Sequence, residues 1–169
     1  MYMFDGHNVF FDEDATFGKS WGMNDYMERT GKQLIIVGVE CNHQGNCRLS
    51  EYSPVTFENA ELGKIRGRGS TTMNWMVNEL KPYIDEHFRT LPDRRNTILA
   101  GSSMGGLMAL YGATAYNSVF QRAACLSPSL WVAPGKVMEL IAKARIRPDT
   151  TIYMDYGENE MANHVASQA

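Results

Sequence analysis

A short apolar run, Thr97-Ile98-Leu99-Ala100, leads into Gly101-Ser102-Ser103-Met104-Gly105-Gly106 and then into a helix-like stretch with Leu107, Met108, Leu110 and Tyr111. A strand, a G-x-S-x-G turn and a helix in that order describe a nucleophile elbow. The turn is so tight that the serine backbone is strained and its neighbours must be nearly free of side chains, hence Gly101 and Gly105. The serine Oγ then projects over the sheet edge, and the helix N-terminus behind it favours a developing oxyanion. Ser103 is therefore expected to be a catalytic nucleophile. The plainer alternative is a Gly-rich loop that merely turns the chain.

Around this turn, apolar runs alternate with longer helical patterns, which argues for a parallel sheet with crossover helices. Strands are expected at 1–4, 34–39, 97–100, 122–126 and 151–156. Near-continuous apolar strands of this kind suit a sheet covered on both faces. Ser70-Thr71-Thr72 offers N-caps for a helix whose Met73, Met76, Val77, Leu80, Ile84 and Phe88 recur at helical spacing, with a kink expected at Pro82. Further helices are expected at 107–116 and 134–144, the second opening on Pro134. Residues 41–69 show no clear periodicity and read as a long loop, a feature usually tied to function. All 169 residues (1–169) are expected to form one domain.

An apolar fraction of 44%, a charged fraction of 21% and a net charge of −3 give no reason to expect nucleic acid or an anionic membrane as the main partner. No apolar run has the length of a membrane span, and no basic-then-apolar leader opens the chain, so a soluble, cytoplasmic protein is expected. Of the three cysteines, Cys125 lies in an apolar run and reads as a buried thiol. Cys41, His43 and Cys47 offer three soft ligands, but no second ligand pair with zinc spacing lies nearby, and reduced loop thiols are the expectation.

A serine nucleophile needs a base, an acid to hold the base, and donors for the oxyanion. After an elbow the chain order is Ser, acid, His. The segment Tyr153-Met154-Asp155-Tyr156-Gly157-Glu158-Asn159-Glu160 has the form of a strand end carrying the acid, so Asp155, Glu158 and Glu160 are candidates. The histidines are His7, His43, His87 and His164. His87 reads as a helix-surface residue and His43 precedes the elbow, whereas His164 alone follows both nucleophile and acid. The oxyanion hole is expected to combine the backbone N–H of Met104 with one from the turn at Gly6-His7-Asn8, after the first strand.

These stretches together resemble the putative-esterase family of α/β-hydrolases, which includes enterochelin (siderophore) esterases, feruloyl and acetylxylan esterases and S-formylglutathione hydrolases. The resemblance is carried by Met3-Phe4-Asp5-Gly6-His7-Asn8-Val9-Phe10, Arg48-Leu49-Ser50-Glu51-Tyr52-Ser53-Pro54, the Gly101–Gly106 turn, Ser127-Pro128-Ser129-Leu130-Trp131 and Asp155-Tyr156-Gly157. It implies an α/β fold, a mostly parallel α/β-hydrolase-like sheet with helices on both faces. Set against the usual fold, the resemblance implies that the first strands and the last strand are expected to be missing from this sequence. It further implies ester hydrolysis by a Ser-His-Asp/Glu triad without metal or organic cofactor, with Ser103 as nucleophile. The family spacing after the D-x-G segment selects Glu160 as the acid, and Trp131 resembles a pocket-wall residue. Relatives supply their histidine from a later Gly-Gly-x-His-like loop, which leaves His164 as the base available in this chain.

The expected function is thus a serine carboxylic-ester hydrolase acting on a small-molecule ester through an acyl-enzyme. The alternatives are a catalytically incomplete hydrolase-fold fragment or binding module lacking the histidine, and acyl transfer to an alcohol instead of water. Tyr52 and Phe57 are candidates to line an aryl or sugar pocket. Lys64, Arg66 and Arg68 form a basic cluster that reads as a solvated loop. Self-association through unpaired sheet edges is expected.

Overall fold

Residues 122–126 show why the sheet forms. Ala123 and Cys125 face one apolar cluster and Ala124 the other, so a period-2 strand buries both faces. The computed structural model describes residues 1–157. Its strands are β1 (Tyr2–Phe4), β2 (Val37–Val39), β3 (Phe57–Asn59), β4 (Gly63–Ile65), β5 (Ile98–Ser102), β6 (Arg122–Leu126) and β7 (Thr151–Asp155). Five of them form one sheet in the order β2-β1-β5-β6-β7, every pair parallel. β3 and β4 form a separate antiparallel ribbon.

The helices are α1 (Met23–Thr30), α2 (Cys47–Glu51), α3 (Gly69–Trp75), α4 (Lys81–His87), α5 (Met104–Ala115) and α6 (Pro134–Lys143). α5 is buried almost all round, as its run of small and apolar residues requires. It packs on β5 and β6 with Leu107, Met108 and Ala113 in the main core, which also takes Tyr2, Phe4, Leu99, Phe120, Met73 and Met76. The opposite face carries a smaller cluster of Met3, Val9 and Ala100, against which Met23 of α1 packs.

Three sequence expectations change. Residues 41–69 are not a plain loop, because they hold α2 and the β3–β4 ribbon, elements of three to five residues too short for periodicity to register. The strand expected at 34–39 shrinks to Val37–Val39, the span over which β1 pairs with it. Pro82 makes no simple kink. A π-helical turn at Met76–Leu80 joins α3 to α4, so the wider i→i+5 turn absorbs the ladder position where proline has no N–H to give.

Register places the functional edge. Ser102, Leu126 and Asp155 are level across β5, β6 and β7, and Phe4 is level with Val39, so the residues just after these strands all emerge on one side. In parallel sheets that carboxyl-end edge is where ligands bind. Among the described residues, no helix is long and apolar enough to cross a membrane.

Candidate active site at the carboxyl edge of the sheet

The strand, turn and helix expected around Ser103 are present. Ser103 sits between β5 and α5 at φ 54°, ψ −121°, a backbone region that costs a side-chain-bearing residue about 1–3 kcal/mol. Surrounding contacts enforce it. A Cβ on Gly101 would lie 2.5 Å from the Gly105 carbonyl carbon, and one on Gly105 would lie 2.9 Å from Phe4 Cβ and 3.1 Å from Asp5 Oδ2. Ser103 N–H donates to Leu126 C=O at 3.0 Å, and Ser103 C=O accepts from Ser129 N–H at 3.0 Å. Both flanking hydrogen bonds come from the β6 end, which fixes the turn from outside. Ser103 Oγ lies 3.1 Å from the hydroxyl of Ser129, itself buried. Met104 opens α5, so its N–H has no partner within the helix.

Asp5, beside this turn, is a second strained residue, at φ 60° and 3% exposed. Its carboxylate accepts two bonds from Arg48, Nε to Oδ1 at 2.6 Å and Nη2 to Oδ2 at 2.8 Å. The Cys41 thiol donates to Oδ1 at 3.7 Å. Asp5 N–H donates to the Tyr52 hydroxyl at 3.2 Å, which donates in turn to Val39 C=O at 3.0 Å. Burial, reinforced by the Asp5 charge, pushes the Tyr52 phenol upward and the Cys41 thiol up to about 12, so both stay protonated donors. The bidentate contact with Asp5 raises Arg48 and keeps it charged. Tyr52 is therefore a core residue, wholly buried, and does not line a pocket as the sequence suggested.

Next to Asp5, the turn Gly6–Asn8 is a short 3-10 helix. His7 N–H donates to Glu40 Oε2 at 2.8 Å and Asn8 N–H to Asp5 C=O at 2.9 Å. Glu40 also draws in two imidazoles, His7 Nδ1 at 2.8 Å and His43 Nε2 at 3.0 Å, both on Oε1. Partial burial works against its charge, but the Cys41 N–H and His7 contacts outweigh it and hold the Glu40 carboxyl below its ordinary range.

The remaining sequence candidates are placed as follows. Asp155 ends β7 and is committed locally, accepting from Ser127 N–H at 3.1 Å and from the Tyr153 hydroxyl at 3.0 Å. Glu158, Glu160 and His164 lie outside the described residues. His87 is an exposed helix-end residue whose ring stacks on Tyr83, as its sequence position suggested. Trp131 is partly exposed and meets Phe57 edge-to-face at 5.9 Å, so β3 stands next to the segment after β6. All three cysteines are free, with Cys41 and Cys125 buried. Lys64, Arg66 and Arg68 are exposed.

Sequence reasoning gave no role to Asp5, Glu40 or Ser129. A buried acid needs a cation, and Arg48 is the partner, but the two lie 43 residues apart and only the fold joins them. Glu40 follows an apolar strand directly, as Asp5 does, and that parallel placement was the available signal.

The family model described as "Putative esterase" matches residues 1–168. The "Uncharacterized protein YbbA" of Bacillus subtilis (strain 168) is 22% identical over 163 residues, which cover 95% of this chain and 61% of that protein. Among solved structures, the BES protein from Bacillus cereus superposes with a TM-score of 0.64 at 25% identity, covering 90% of this chain and 60% of that one. An IroE-like serine hydrolase from Shewanella oneidensis gives 0.66 at 21% identity, over 90% of this chain and 48% of that one. The chain thus spans roughly half to three-fifths of the length of these relatives, and it shares an α/β-hydrolase-like sheet with the two solved structures. With the model matched along nearly its whole length, the chain belongs to the putative-esterase family.

Proposed function

We propose that this chain is a serine carboxylic-ester hydrolase in which Ser103 is the nucleophile of a nucleophile elbow. The observation that carries the reading is the Ser103 backbone, held at φ 54° between a strand and a helix by two glycines that admit no Cβ. Strain kept in place by its surroundings is characteristic of functional positions. Ser103 Oγ attacks the ester carbonyl carbon while a histidine takes its proton. The carbonyl oxygen, now an oxyanion, is held by Met104 N–H and the Gly6 N–H, because the His7 and Asn8 amides of that turn already donate to Glu40 Oε2 and Asp5 C=O. The imidazolium returns the proton to the departing alcohol. Water then attacks the acyl-enzyme by the same route and releases the acid.

For the base, His164 is the histidine of this sequence that follows both nucleophile and acid in the elbow chain order, with Glu160 as the acid, whereas His7, His43 and His87 precede Ser103. Trp131, exposed and braced edge-to-face by the buried Phe57, is the wall residue of the ester pocket, whereas Phe57, like Tyr52, belongs to the core. The test is turnover of an aryl acetate by the chain and its variants. Ser103→Ala and His164→Ala should each lose about 10⁴-fold or more, since triad members act as a unit. Turnover unchanged in Ser103→Ala overturns the reading.

A second reading, a binding module on the same scaffold, is favoured by one observation. Among the described residues the hydrogen-bond partner of Ser103 Oγ is the Ser129 hydroxyl, not a titratable base. It predicts ester binding without turnover and indifference to Ser103→Ala.

A further inference from the structure

The parallel pairing of β1 with β2 creates a group that no local stretch of sequence contains. Phe4 and Val39 are level, so His7, three residues on from β1, meets Glu40 and His43, just past β2. The backbones are pressed together there. A Cβ on Gly6 would lie 3.1 Å from the Gly38 carbonyl carbon and 3.3 Å from Glu40 N. The three side chains present one donor atom each within 4.8 Å of one another.

We propose that His7 Nδ1, His43 Nε2 and Glu40 Oε1 form a binding site for a divalent transition-metal ion of the zinc type. Both ring nitrogens are aimed at the same carboxylate oxygen, at 2.8 and 3.0 Å. Ligands about 2.0–2.2 Å from a tetrahedral zinc stand roughly 3.3–3.5 Å apart, so small outward shifts of the ligands admit the ion. The imidazole rings meet edge-to-face with centroids 4.5 Å apart, which keeps the two nitrogens on one side without stacking the rings.

The surroundings are those of a metal site. In the ion-free arrangement His7 Nδ1–H donates to Glu40 Oε1, so an ion displaces that proton; a neutral His7 then carries its proton on Nε2, where Thr16 Oγ1 at 2.9 Å accepts it, and the Nδ1 lone pair faces the ion. Glu40 is fixed through both oxygens by backbone donors, Cys41 N–H on Oε1 at 2.9 Å and His7 N–H on Oε2 at 2.8 Å. Its conformation is therefore set before any ion arrives. Two imidazoles with one carboxylate select zinc, cobalt or nickel over calcium and magnesium, which require mostly oxygen ligands. His43 and Glu40 are half-exposed, so the ion has an entry path and a fourth position open to water or an oxygen-bearing ligand. Among the described residues the donor group comprises His7, Glu40 and His43 without a cysteine, and the Cys41 thiol is buried and directed to Asp5 Oδ1. The site shares the carboxyl edge of the sheet with Ser103 but stands independently of the esterase reading.

The test uses the full chain, stripped with chelator and titrated with Zn(II) by calorimetry and with Co(II) by absorption spectroscopy. One Zn(II) per chain should bind with micromolar or tighter affinity. The Co(II) form should show four-coordinate d–d bands without a thiolate charge-transfer band. His43→Ala and Glu40→Gln, both at half-exposed positions, should weaken binding at least about tenfold, and Thr16→Val about 10–100-fold. Cys47→Ser should leave binding unchanged. Absence of stoichiometric binding by the folded chain overturns the proposal. So does binding that survives His43→Ala and Glu40→Gln, or binding that is lost in Cys47→Ser.

Discussion

Replacing Arg48 by methionine removes the only full positive charge that faces the buried Asp5 carboxylate among the described residues. Methionine keeps the volume but deletes donors at 2.6 and 2.8 Å, leaving Asp5 the weak Cys41 thiol contact at 3.7 Å. Breaking a buried pair from one side costs about 3–5 kcal/mol. The Arg48 side chain is 30% exposed against 4% for Asp5, so some water reaches the vacated space. That puts the expected loss just below that range, at about 2–3 kcal/mol. For a chain of this size each kcal/mol lowers Tm by about 2–4 °C, so a fall of about 5–10 °C should appear in a thermal melt. Urea denaturation of Arg48→Met, Asp5→Asn and the double variant gives the coupling directly. Asparagine tolerates the φ 60° backbone at Asp5, so that variant tests charge and not strain. The double variant should be more stable than the sum of the single losses by about 1 kcal/mol or more. A loss below about 1 kcal/mol for Arg48→Met, or strict additivity, would refute the idea that this pair anchors the turn beside Ser103.

Two further outcomes follow from the same geometry. Ser103→Gly should be more stable than Ser103→Ala by about 1 kcal/mol in urea titration, because only glycine adopts the φ 54°, ψ −121° backbone without strain. Equal stabilities would mean the turn stores no strain. Burial pushes the Cys125 thiol from its ordinary 9.0 up to about 12, so the folded chain keeps that proton where the unfolded chain loses it. The unfolded state then binds fewer protons, and stability should fall as pH rises from about 9 towards 12. In native labelling with an aromatic disulfide near pH 8, Cys47 should react first and Cys125 only after denaturation; fast native labelling in a Cys47→Ser variant would count against this.

The parts of the molecule legible in the sequence are those built from contiguous residues. β6 falls on the expected 122–126, and the strand-turn-helix around Ser103 follows from five consecutive residue types. Features assembled across the chain were not legible. His43 invited pairing with Cys41 and Cys47 because those are its neighbours in sequence, whereas in space it meets His7, on the next strand's loop, through Glu40. Tyr52 looked like a pocket aromatic in an aperiodic loop. Its hydroxyl instead bridges Asp5 N–H and Val39 C=O inside the core, a role set by β1–β2 pairing and invisible from residues 41–69 alone. The β3–β4 ribbon was missed because three-residue strands carry too few side chains to show alternation.

The central claim, that Ser103 is an activated nucleophile, is tested most directly by intact-mass spectrometry after treatment with a fluorophosphonate. The account predicts a single phosphonyl adduct on the folded chain that is absent from Ser103→Ala. An adduct that persists in Ser103→Ala, or no adduct on folded protein, would contradict it.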